Sequence, residues 1–166
     1  MKNTKKLATL SVIVALAMVL SFLESRIPAF VAIPGIKVGL ANIAVIFTVY
    51  KLGAREGVLI SIIRVLLVSI LFGSTVSLWY SLAGAILSLI VTILLKKYTK
   101  LAVVTVSVAG GVSHNIAQIG VACLLLETNI IVYYLPFLLL SGTVAGIAVG
   151  VASALLIKRV KLEGSR

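Results

Sequence analysis

Apolar residues fill this chain in long uninterrupted runs, broken by short stretches of basic residues, glycine and proline. Runs such as LSVIVALAMVL and ILSLIVTILL lack the apolar–polar alternation that a membrane β-barrel strand needs. A helix crosses the hydrocarbon core with about 20 apolar residues, and about 17 suffice. Six segments meet that requirement, at 7–23, 38–53, 54–72, 76–95, 101–126 and 132–157. The second is short and holds Asn42. Together they use most of the chain, so no soluble domain fits beside them. The pattern predicts an all-α integral membrane protein, a single domain over 1–166 with six transmembrane helices.

Composition narrows the classes further. Only 11% of the residues are charged and 61% are hydrophobic, whereas a soluble domain carries about 25% charged residues. An ordinary globular domain, a disordered tail and a disulfide scaffold are excluded. Cys123 is the single cysteine and cannot form an intrachain disulfide.

The formal net charge of +11 comes from 15 Lys and Arg against four Glu, with no Asp. Lys2, Lys5 and Lys6 precede the first segment, and Lys51 and Arg55 flank the second turn. Lys96, Lys97 and Lys100 lie between the fourth and fifth segments; Lys158, Arg159, Lys161 and Arg166 follow the sixth. These twelve fall on one side of a six-helix arrangement, while Arg26 and Lys37 face Glu24 and Glu127 on the other. By the positive-inside rule both termini are expected in the cytoplasm of a multi-pass cell-membrane protein. A nucleic-acid partner is not expected, because the basic residues are scattered at segment ends. The first apolar run, 17 residues, exceeds the core of a secretory signal, usually about 7–15 residues. It reads as a span.

Small residues mark close packing. Gly142, Gly146, Gly150 and Ala154 recur every four residues in the sixth segment, a ridge suited to helix contact in lipid. Ser11 with Ala15, and Ala17 with Ser21, have the same spacing on two faces of the first segment. The Ser11 and Ala15 face is a candidate docking surface for a partner membrane protein.

Ionisable groups at membrane depth are costly and usually functional. Arg64 lies ten residues into the third segment, roughly 15 Å along it. Glu24 is the most plausible carboxylate to pair with it, and an anion-binding role is compatible with that pair. His114, Asn115 and Gln118 cluster in the fifth segment, with Asn42 at similar depth in the second. Trp79 and Tyr80 are candidates for an interfacial belt or a stacking wall. The loop from Glu24 to Lys37, with Pro28 and Pro34–Gly35, is a candidate lid. The expected substrate-binding set is Lys37, Asn42, Arg64, Trp79, Tyr80, His114, Asn115 and Gln118. It describes a polar pocket for a small anionic or mixed polar and aromatic molecule.

Catalysis is not expected. There is no G-x-x-x-x-G-K-[ST] loop, no cluster of metal ligands and no credible triad. No cofactor and no metal are implied.

Five stretches, PGIKVGLANI (34–43), IIRVLLVSILFGS (62–74), SLAGAILS (81–88), GGVSHNIAQ (110–118) and LPFLLLSGTVAG (135–146), carry a family likeness. In matching order they resemble the Gx transporter family, also labelled heptaprenyl diphosphate synthase component I. The chain is also similar to the substrate-binding S components of energy-coupling factor (ECF) transporters. That resemblance implies an S-component-like bundle that captures a small vitamin- or precursor-like substrate, energised by a separate membrane subunit with two ATPases. It also implies docking through a small-residue face that includes the first helix. The alternative label implies a non-catalytic membrane accessory subunit of heptaprenyl diphosphate synthase. Trans-prenyl synthases resemble one another in Asp-rich motifs, and this chain has no Asp.

Overall fold

The computed structural model describes residues 3–26, 39–72 and 75–161, without the side chains of Asn3, Phe72, Ser77 and Leu126. Every regular element among them is helical. In chain order these are α1 (Asn3–Arg26), α2 (Asn42–Lys51), α3 (Ala54–Phe72), α4 (Thr75–Tyr98), α5 (Val103–Leu126) and α6 (Leu135–Arg159). A 3₁₀ turn, Ile130–Tyr134, leads into α6, where Pro136 sits in the first turn and costs no hydrogen bond.

The six expected segments correspond to six α-helices. Four helical stretches are long and apolar enough to cross a membrane: Thr4–Arg26, Leu78–Tyr98, Val103–Leu125 and Ile130–Arg159. The chain is a multi-pass membrane protein. The other two helices differ for identifiable reasons. α3 has 19 residues, but Arg55, Glu56 and Arg64 lie within it. α2 has only ten residues, about 15 Å of helix and roughly half of the hydrocarbon thickness. Left-handed glycines flank it, Gly39 at φ 74° and Gly53 at φ 129°, a conformation that breaks a helix and suits glycine.

Antiparallel packing gathers Lys5 and Lys6, Lys51 and Arg55, Lys96 and Lys97, and Lys158 and Arg159 at one end of the bundle. Contacts there include the Lys6–Glu56 ion pair, which joins α1 to α3. Lys96 Nζ donates to the Val49 carbonyl at 2.5 Å and lies 5.0 Å from the Tyr50 ring centroid, so α4 caps the C-terminal end of α2. A core cluster of Ile13, Ala17, Val45, Phe47, Val49, Ile60 and Leu89 joins α1 to α4.

The glycine ridge of α6 packs inside the protein. A Cβ on Gly146 would meet Val108 Cα at 2.7 Å, and one on Gly150 would meet Val104 Cα at 2.7 Å. Gly111 would meet the Gly142 carbonyl at 2.8 Å. The α5 and α6 backbones therefore touch, which only glycine permits. The buried line along α6 continues to Ser153, while Ala154 is half-buried. On α1 the two small-residue faces separate. Ala17 and Ser21 are buried, whereas Ser11 and Ala15 face outward.

Candidate functional site

Between the helices lies a cavity of about 180 Å³, to which all six α-helices contribute. Its wall follows from helical spacing, since residues three and four apart share a face. On α3 the stripe is Ser61, Arg64, Val65, Val68 and Ser69; on α4 it is Ser81, Ala85, Ser88, Leu89 and Thr92. On α5 it is Ser107, Gly110, Gly111, His114, Asn115 and Gln118. α1 adds Ser21, Glu24 and Ser25, and α2 adds Asn42, Val45 and Ile46. The glycines of α5 and α6 let polar side chains of the wall come close to the backbone. A Cβ on Gly110 would meet Thr92 Oγ1 at 2.8 Å, and one on Gly142 would meet Asn115 Nδ2 at 2.6 Å.

Five of the eight residues expected to bind substrate line this cavity: Asn42, Arg64, His114, Asn115 and Gln118. Trp79 and Tyr80 do not line it, and Trp79 is 54% exposed on the outer surface of α4. Lys37, with most of the candidate lid, lies outside the described residues.

Charge in the cavity comes from Arg64 and Glu24. Glu24 is the carboxylate whose field acts on Arg64. Glu24 Oε1 also accepts the Gly39 backbone N–H at 2.5 Å, just before the N-terminal turn of α2. A carboxylate is favoured there by the helix dipole. Asn115 Nδ2 donates to the Leu138 carbonyl at 2.5 Å, and the His114 ring lies against Gly84, where a Cβ would approach Nε2 to 2.7 Å. Three of the four buried side-chain nitrogen and oxygen atoms without a hydrogen-bond partner among the described residues belong to residues that line the cavity: Arg64 Nε, Ser107 Oγ and Gln118 Oε1. A donor, a hydroxyl and an acceptor thus remain unmatched by protein, each costly to bury alone at about 1–3 kcal/mol.

Sequence reasoning did not pick out the hydroxyl lining, Ser61, Ser69, Ser81, Ser88, Thr92 and Ser107. Its signal is the recurrence of small hydroxyls at Ser81, Ser88 and Thr92 of α4, seven and four residues apart and so on one helix face.

The chain belongs to the heptaprenyl diphosphate synthase component I family, whose family model matches residues 13–156. No curated protein and no solved structure matches it.

Proposed function

We propose that this member of the heptaprenyl diphosphate synthase component I family is the substrate-binding membrane subunit of a transporter. It holds a small vitamin- or precursor-like molecule in the cavity around Arg64, and a separate ATPase module energises it from the cytoplasmic side of the cell membrane. The observation that carries this reading is the set of unmatched polar atoms, Arg64 Nε, Ser107 Oγ and Gln118 Oε1, on residues of one cavity wall. Packing alone favours matched or apolar surfaces at such depth. Asn42, His114 and Asn115 add hydrogen-bonding groups and Arg64 supplies positive charge; Lys37, outside the described residues, is the expected second cation. Ser11 and Ala15, exposed on α1, form the docking face for the energising subunit.

Mass spectrometry of small molecules retained through a mild detergent purification tests the reading. The wild-type chain is expected to carry a defined metabolite that Arg64→Ala loses while remaining monodisperse. Equal recovery from both proteins would sink the assignment.

The family description favours a second reading, a non-catalytic membrane component of heptaprenyl diphosphate synthesis. It predicts co-purification with an Asp-rich soluble synthase and a change in product length when the two are combined.

A further inference from the structure

A second concavity lies on the outer surface, away from the cavity and independent of the transport reading. α2 is too short to fill the space between α1 and α6, so it forms the floor of an apolar groove of about 450 Å³. Ala8, Leu16 and Leu20 of α1 line one wall, Phe47 the floor, and Leu156 of α6 with Val160 just after it the other wall.

Two features define what fits. The first is length. From Ala8 to Leu20 the groove follows α1 for 12 residues, about 18 Å, slightly more than half of the ~30 Å hydrocarbon core. It therefore starts at one membrane surface and ends near mid-depth, the reach of one lipid chain in one leaflet. The second is charge. The groove begins at Val160 and Ala8; Lys158, Arg159 and Lys161 adjoin Val160 along the chain, and Lys5 lies one turn before Thr9. Lys158, Arg159, Lys161 and Lys5 are all exposed. An apolar slot ending in a basic cluster complements a molecule with a hydrocarbon chain and a phosphate head.

We infer that this groove is a binding site for an anionic phospholipid of the leaflet facing the basic end, with its chain along α1 and its phosphate among Lys158, Arg159 and Lys161. A zwitterionic lipid of equal chain length offers the same apolar contact without the net charge. A partner protein helix would use the apolar wall and leave the basic cluster unmatched.

The full chain in nanodiscs of equal parts phosphatidylglycerol and phosphatidylcholine, moved into mild detergent and weighed by native mass spectrometry, tests this. Phosphatidylglycerol is expected to stay bound, and phosphatidylcholine to be retained about tenfold less. Ala8→Trp, at an exposed position, fills the groove and keeps every charge; Lys158→Gln with Arg159→Gln and Lys161→Gln removes the head site and keeps the groove. Each is expected to release the retained lipid while thermal stability stays near that of the wild type. Equal retention of the two lipids overturns the proposal, as does retention that survives either variant.

Discussion

Asn115 on α5 donates its Nδ2 proton to the Leu138 carbonyl on α6 at 2.5 Å, in the helix pair whose backbones meet at Gly111 and Gly142. One side-chain nitrogen thus closes the gap that the glycines leave. Ser141 Oγ donates to the same carbonyl at 3.0 Å, so Leu138 keeps a side-chain partner if Asn115 is lost. Asn115→Ala is expected to cost only about 0.6–1.7 kcal/mol, the range of interhelical hydrogen bonds in membranes. Thermal melts in detergent measure it, and a loss several times larger would mean that Asn115 supports more than this pair.

The glycine ridge predicts a contrast between two neighbouring helices. At Gly146 a methyl group would strike Val108 backbone, which cannot step aside, whereas nothing lies within 4 Å of a methyl on Gly120. Gly146→Ala is expected to destabilise by about 1–3 kcal/mol. Gly120→Ala is expected to hold or gain up to about 1 kcal/mol from helix propensity. Parallel denaturation curves decide; equal behaviour of the two variants would contradict the backbone contact between α5 and α6.

Glu24 and Arg64 are expected to be energetically coupled. Removing the carboxylate leaves a guanidinium at membrane depth without its counter-charge, and removing both relieves that cost. In a double-mutant cycle with Glu24→Gln and Arg64→Met, the coupling energy is expected at about 0.5–3 kcal/mol. Strict additivity would show that the two charges do not sense each other.

His114 offers a test of the cavity that removes no polar group. Gly84→Ala places a methyl 2.7 Å from Nε2 and Cε1 of the ring, so the imidazole must turn into or away from the cavity. The variant is expected to lose the retained metabolite at least about tenfold while inserting and melting like the wild type. Unchanged metabolite content would remove His114 from the site.

Segment existence was legible in the chain because apolar runs of membrane length have few alternative uses. α3 begins and ends at the residues the hydropathy suggests, Ala54 and Phe72. α2 is shorter than its apolar run, since Gly39 and Gly53 adopt left-handed backbone that hydropathy does not register. Arg64, His114, Asn115 and Gln118 stood out because charge and amides are rare at such depth. The serines did not, because a lipid-facing surface is as apolar as the core and blurs which face of a helix turns inward. Trp79 and Tyr80 do not line the cavity, and hydropathy could not place them, because aromatic rings suit both a ligand wall and an interface.

The short α2 helix is held at both ends by neighbours of opposite charge. Glu24 of α1 takes the N–H of Gly39 before its first turn, and Lys96 of α4 takes the Val49 carbonyl in its last. Mechanically it is a strut with two pins. An axial slip of α1 must either drag the strut along or break the first pin, and a strut that moves loads the second. α1 and α4 are thereby joined through α2.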